Sequence, residues 1–206
     1  TAYRRQRQMC IRDRIKRELD KSHINSKFVR GLRVTDEKII DIVEKVLIEF
    51  NEDIVSSLKN IGSKGISLNT KENNVLKIIP ESKELGFVGI PHEINVEIIM
   101  DKIKNNLIPI ISPLGLGSDD KTYNINGDTA AGAIAKSLKS RRLLLMTNVE
   151  GVLNKDKILI EEISSSKIME MIDDKTITEG MIPKINTCLD AVNNGVTAVA
   201  IIDGRK

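Results

Sequence analysis

The sequence predicts an α/β fold, and three stretches carry that prediction. The apolar run Leu107 to Pro113 has the length and content of a buried strand; a glycine-bearing loop follows, and then a block of Ala, Gly and Ile at 130 to 135 suited to a tightly packed helix. A second run, Leu143 to Val149, is hydrophobic without alternation, as suits a parallel strand buried on both faces, and it turns into a loop at Gly151. Thr197 to Asp203 reads as a last buried strand. In such folds, ligands sit outside the carboxyl ends of parallel strands, where helices begin.

Taken in order, the chain opens with fourteen residues that hold five arginines, whereas the remainder prefers Lys. This composition break resembles translated sequencing adapter, and residues 1–14 are set aside from the fold as a non-native segment. A short helical segment starts at Ile15. Thr35 is placed to cap a helix running from about 36 to 50, with Ile39, Ile40, Val43, Val46, Leu47 and Phe50 at helical spacing. A second helix is expected over 51–62, ending at Gly62. Short pieces at Gly65 to Leu68, Val75 to Pro80 and Gly86 to Ile90 alternate with polar turns and read as hairpins on the rim of a sheet. Glu93 to Lys104 carries Ile94, Ile98 and Ile103 at near-helical spacing and leads to the Leu107 strand. Further helices are expected at Ser165 to Ile172 and from Pro183, with Ile185, Leu189 and Val192 on one face.

Composition narrows the function. The 206 residues suffice for one sizeable core. With 32 basic and 29 acidic residues the net charge is +3, too balanced to argue for nucleic acid, and an aromatic content of 2% removes base-stacking platforms. Cys10 and Cys188 fit neither a zinc spacing nor a disulfide framework, which favours a reducing cytoplasm. No apolar run approaches the roughly 18 residues of a membrane span. No GxxxxGK[ST] loop occurs, so the phosphate-binding logic is not of the Walker kind.

Several residues stand where chemistry is done. Asp128 and Thr129 sit at a helix start, where one can accept from the orphan amides and the dipole favours negative charge. Arg33, in the loop before the first long helix, is either a surface arginine or a bidentate grip for a carboxylate. Lys184 at a helix start opposes the dipole, which either solvent or a negative ligand would compensate.

The stretch Tyr123-Asn124-Ile125-Asn126-Gly127-Asp128-Thr129-Ala130-Ala131-Gly132-Ala133-Ile134-Ala135 closely resembles the signature YNINADTAAGAIA of the acetylglutamate kinases, within the amino acid kinase family, with Gly127 in place of Ala. Residues 28–36 resemble that family's FVxGLRVTD. Residues 146–153 resemble its LTDVxGVL, with Asn148 in place of Asp, a change that keeps an acceptor and loses a charge. Residues 179–184 resemble GGMIPK, with Glu179 in place of the first Gly. The resemblance implies a three-layer αβα sandwich with a mainly parallel central sheet, here incomplete, formed by residues 15–206 as a partial domain. It implies ATP-dependent phosphorylation of the γ-carboxylate of N-acetyl-L-glutamate, in arginine biosynthesis, by a cytoplasmic homo-oligomer. Carrier-linked aminoadipate kinases share much of the pattern and are the alternative enzyme reading; a noncatalytic nucleotide- or amino-acid-binding fragment is the other.

It also implies roles for residues. Arg33 and Asn124 hold the amino-acid substrate, and Lys184 with Asp128 serves the transferring phosphoryl group, the two meeting at converging helix starts. The nucleotide lies along Thr147, Asn148, Val149, Gly151, Val152 and Leu153, with Thr178 near its adenosine end. Mg²⁺ arrives on the ATP phosphates, not in a dedicated carboxylate cage. The family opens with a strand bearing Lys and paired Gly, yet residues 15–27 contain no glycine, so the chain is expected to be an internal fragment with little or no turnover of its own.

Overall fold

A computed structural model describes residues 2–177 and 181–205. It resolves into two compact units: one comprises residues 9–130, and the other begins at Ala131 and includes the start of the first helix.

In the amino-side unit, helix α1 (Ala2–Lys21) runs longer than the segment expected from Ile15, and Ile11, Ile15 and Leu19 pack in one cluster with Ile39, Val43, Val46 and Leu47. Strands β1 (Phe28–Val29) and β2 (Leu32–Arg33) form a hairpin. Arg30 (φ 49°) and Gly31 (φ 79°) supply the two positive angles of a type I′ turn.

Helix α2 (Glu37–Asn60) is one helix of 24 residues where the sequence suggested two. No Gly or Pro interrupts it, and Asn51, where the second helix was expected to begin, is buried: its amide donates to the Ile110 carbonyl (2.8 Å) and to Ser112 Oγ (3.1 Å). The cap also differs. Asp36 accepts from the Lys38 and Ile39 amides, while Thr35, fully buried, gives its hydroxyl to the Arg33 carbonyl (2.9 Å). The end falls where the sequence put it: Gly62 (φ 77°) donates to Lys59 and Ser63 to Leu58, a Schellman closure.

Strand β3 (Gly65–Leu68) leads through α3 (Thr70–Asn73) to β4 (Leu76–Pro80) and β5 (Gly89–Ile94). Helix α4 (Val96–Lys104), capped by Asn95, then leads to β6 (Ile108–Ile111), β7 (Leu114–Leu116) and β8 (Thr122–Asn124). β4 and β5 pair as an antiparallel hairpin, but β5 runs to Ile94, past the expected Gly86 to Ile90 piece, and takes Glu93 and Ile94 from the segment read as helical. β3 does not belong to a rim hairpin: it pairs in parallel with β6, Gly65 opposite Ile108, a partner too distant in sequence for local patterning to reveal. The four-stranded sheet runs β5, β4, β7, β8, with β4 and β7 parallel.

Helix α5 (Gly127–Ser137) crosses the division between the units. In the carboxyl-side unit, β9 (Arg142–Thr147) pairs in parallel with β10 (Ala198–Asp203) along its whole length. Between them lie α6 (Ser165–Asp173) and α7 (Ile182–Asn193). Leu143 and Leu145 join a core with Ala135, Ala191 and Val196, but Leu144 and Met146 on the opposite face are 54% and 48% exposed. β9 is therefore buried on one face, not two. Alternating parallel pairs with helices gives a mixed α/β fold. No helix among the described residues is long and apolar enough to cross a membrane.

Candidate active site

The amino-side unit holds Arg33, Asn124 and Asp128. Arg33 ends β2, in a strand rather than the loop the sequence suggested, directly across from Phe28. Its guanidinium carbon lies 4.8 Å from the Phe28 ring centre, and Nη1 donates to Ser26 Oγ. Burial first, and then the charge of Arg12, pull the Arg33 pKa below the ordinary arginine value. Both causes penalise the cation, and both are relieved by a carboxylate laid against it.

A backbone relay links this arginine's strand to Asn124. Thr35 N–H donates to the Leu85 carbonyl (2.9 Å), Phe87 N–H to the Thr35 carbonyl (2.7 Å), and Asn124 N–H to the Phe87 carbonyl (3.0 Å). Gly86 makes this close approach possible. Its φ is +67°, and a Cβ there would stand 2.4 Å from the Thr35 oxygen. Sequence reasoning missed this role; its signal was a glycine read only as the start of a rim strand.

The cap of α5 is Asn126. Its Oδ1 accepts from the Asp128 and Thr129 amides at 2.9 and 3.2 Å, so neither Asp128 nor Thr129 caps the helix as the sequence suggested. Asp128 instead places a half-buried carboxylate in the first turn, at the positive end of the dipole. A separate cavity of about 360 Å³ contains none of the predicted site residues. Glu37, Asp41, Glu44 and Asp120 outnumber Lys71 and Lys121 on its walls, which suits no acidic substrate.

The carboxyl-side unit holds the expected nucleotide loop and Lys184. Thr147, buried, ends β9; Asn148, Val149 and Glu150 are exposed beyond it. Gly151 (φ +150°) seats against the Ile201 carbonyl and Leu159, with no room for a side chain. Val152 packs on the core of Ile168, Met171, Ile177 and Ile185, and Leu153 bridges to Leu159. The segment after Gly151 is thus a small hairpin, closed by Asn154, whose Oδ1 accepts from the Asp156 and Ile158 amides.

Lys184, partly buried, lies in the first turn of α7 beside Pro183. α7 approaches α5 closely: a Cβ on Gly132 would fall 2.6 Å from Thr187 Cγ2. Thr178 lies outside the described residues. A pair the sequence reading passed over is Asp203 and Arg205, at the carboxyl end of β10. Its signal was the Asp-Gly-Arg string closing the last strand.

The sequence matches the Amino acid kinase family over residues 9–203. The chain belongs to the amino acid kinase family. It is 53% identical to an acetylglutamate kinase of Pelagibacter ubique over 193 residues, covering 94% of this chain and 67% of that protein. It is 46% identical to an acetylglutamate kinase of Ruegeria pomeroyi over 188 residues, covering 91% and 66%. This amino acid kinase chain spans about two thirds of the length of those relatives. Its backbone matches the crystal structure of smu.665 from Streptococcus mutans UA159 with a TM-score of 0.85 and 33% identity, over 92% of this chain and 78% of that one.

Proposed function

We propose that the chain serves ATP-dependent phosphorylation of the γ-carboxylate of N-acetyl-L-glutamate, giving N-acetylglutamyl 5-phosphate for arginine biosynthesis. The protein acts in the cytoplasm as a homo-oligomer. The observation that carries this reading is the half-buried Arg33, whose charge burial and Arg12 penalise and which a substrate carboxylate would relieve. The similarity to acetylglutamate kinases supports the choice of acid.

Arg33 grips the α-carboxylate through parallel N–H bonds. Asn124, on the strand that the Thr35, Phe87 and Asn124 relay holds, hydrogen-bonds the polar groups of the same substrate. ATP lies along Thr147, Asn148, Val149, Gly151, Val152 and Leu153, with Thr178 toward the adenosine. Mg²⁺ enters on its phosphates, where it supplies charge neutralisation.

The γ-carboxylate is already ionised and attacks phosphorus directly, while ADP leaves with the former bridging oxygen. No general base is needed. Lys184 offers its ammonium to the oxygens over which charge spreads in the transition state, and Asp128 is the carboxylate that keeps such a cation charged and oriented.

Hydroxamate trapping of the acyl phosphate, with N-acetyl-L-glutamate, N-acetyl-L-aspartate and α-aminoadipate as acceptors, tests the reading. Product with N-acetyl-L-glutamate above the other two supports it. Preference for aminoadipate as acceptor, or calorimetric binding of aminoadipate or N-acetyl-L-aspartate more tightly than N-acetyl-L-glutamate, refutes it.

A further inference from the structure

We propose that Arg205, locked by Asp203, is a positioning residue that holds the Thr147 to Gly151 loop for the nucleotide. The inference rests on the nucleotide reading of that loop. β9 and β10 end side by side, Thr147 opposite Asp203, and Gly204 N–H donates to the Thr147 carbonyl (3.0 Å). The chain then folds back on itself. Asp203 Oδ1 accepts from the Arg205 backbone amide (3.0 Å) and Nε (2.8 Å), and Oδ2 accepts from Nη2 (2.7 Å).

The pair is asymmetric. The Asp203 side chain is 4% exposed and that of Arg205 is 33% exposed, so the carboxylate is fixed inside while the guanidinium edge remains at the surface. A fork bound on two nitrogens cannot swing, and its remaining N–H groups keep one orientation. That edge lies where α/β folds bind ligands, beyond the carboxyl ends of parallel strands.

Glu150 is the one carboxylate of the loop, and the Asp203 bond first and then the Asp203 and Glu150 charges raise the Arg205 pKa. The loop is pinned at Thr147 by the Gly204 N–H, and at Gly151 an added Cβ would meet Leu159 and the Ile201 carbonyl. The fork closes the turn that presents the Gly204 N–H to the Thr147 carbonyl, so Arg205 acts on the loop through that turn. A buried ion pair is weak evidence of stabilisation in itself, whereas a preoriented cation beside a binding loop reduces the ordering that nucleotide binding would demand.

Equilibrium titration with ATP of the wild type, Arg205→Lys, Arg205→Met, Glu150→Gln and the Glu150→Gln/Arg205→Met double variant tests this, with Tm measured for each. Arg205→Met should weaken ATP roughly tenfold or more, as displacement of a positioned group does. Arg205→Lys should recover little of it, because lysine has no fork. The Glu150→Gln and Arg205→Met losses should sum to more than the loss in the double variant. Folded variants that bind ATP within about twofold of the wild type, or strictly additive losses, overturn the proposal. ATP binding by the wild type without binding of N-acetyl-L-glutamate would remove the proposed substrate and leave the clamp standing. A wild type that does not bind ATP would overturn both.

Discussion

Gly86→Ala should be among the most damaging single-methyl changes in the amino-side unit, and its cost can be worked from two terms. The first is conformational: at φ +67° an L side chain is strained by about 1–2 kcal/mol. The second is steric: the new Cβ would stand 2.4 Å from the Thr35 carbonyl oxygen and 3.2 Å from its carbon, both backbone atoms in a fully buried residue. Relieving that overlap shifts packed structure, typically at about 1–3 kcal/mol. Together they give about 2–5 kcal/mol, or a Tm drop of roughly 4–20 °C for a protein of this size. Gly31→Ala is the matched control, since Gly31 has φ +79° but open space around its Cα. It should show only the first term. Because the Thr35 carbonyl also receives Phe87 N–H, whose carbonyl holds Asn124, Gly86→Ala should weaken N-acetyl-L-glutamate binding while Gly31→Ala leaves it closer to wild type. Urea melts and calorimetric titration measure both quantities. Equal destabilisation by the two substitutions would refute the steric term, and unchanged substrate affinity in Gly86→Ala would refute the relay.

Arg33→Lys and Asn124→Ala should each raise the KM for N-acetyl-L-glutamate, the lysine because it keeps charge but loses the planar fork; unchanged KM in both would exclude them from the substrate site. Lys184→Met should lower kcat by roughly 100-fold or more with a small change in KM, since its contact strengthens as charge spreads in the transition state, and a pure KM effect would contradict that role. Gly127→Ala, in the first turn of α5 with nothing within 4 Å of its new Cβ, should stabilise by about 0.4–1 kcal/mol in urea melts. Gly132→Ala should cost about 1–3 kcal/mol through its clash with Thr187, so the two neighbours should differ in sign. Asp174 is held near a pKa of about 2, chiefly by the Thr176 hydroxyl and then by Lys155 and the Thr176 amide. A depressed carboxylate adds stability above its unfolded pKa and loses it as pH falls, so Asp174→Asn should flatten the stability profile between about pH 4 and pH 2.

Local pattern was enough wherever the cause was local. Gly62 ended α2 because a left-handed closure needs it, and Leu143 to Thr147 formed a strand because nothing else suits so apolar a run. The failures share a different cause. Local pattern starts a second helix at Asn51 because its partners, Ile110 and Ser112, lie about sixty positions on, and β3 looked like a hairpin strand because β6, with Gly65 opposite Ile108, is also remote. In the candidate site, Arg33, Asn124, Asp128 and Lys184 could be named from motifs, whereas what holds them could not. Gly86, Asn126 and the Asp203 with Arg205 pair act through backbone geometry and burial, and neither is written in residue type.

The two ends of the proposed reaction ask opposite things of a protein. An acidic substrate needs cationic groups that are not already neutralised, and Arg33 meets this with burial and Arg12 working against its charge. In the same unit Lys71 is paired with Glu44 at 2.9 Å, Lys121 with Glu37 at 3.1 Å and Lys77 with Glu93 at 3.0 Å. A carboxylate therefore gains more at Arg33 than at the acidic cavity, whose walls carry Glu37, Asp41, Glu44 and Asp120. The phosphoryl group asks for charge that is fixed in place, because stabilisation in the transition state counts only where no reorganisation is required. Helix starts answer that need, and the chain sets Asp128 and Lys184 in the first turns of two different helices. Lys184 opposes its helix dipole, and a negative ligand beside it would offset that repulsion. In the proposed reaction that ligand is the transferring phosphoryl group, whose charge spreads toward the lysine as the transition state forms.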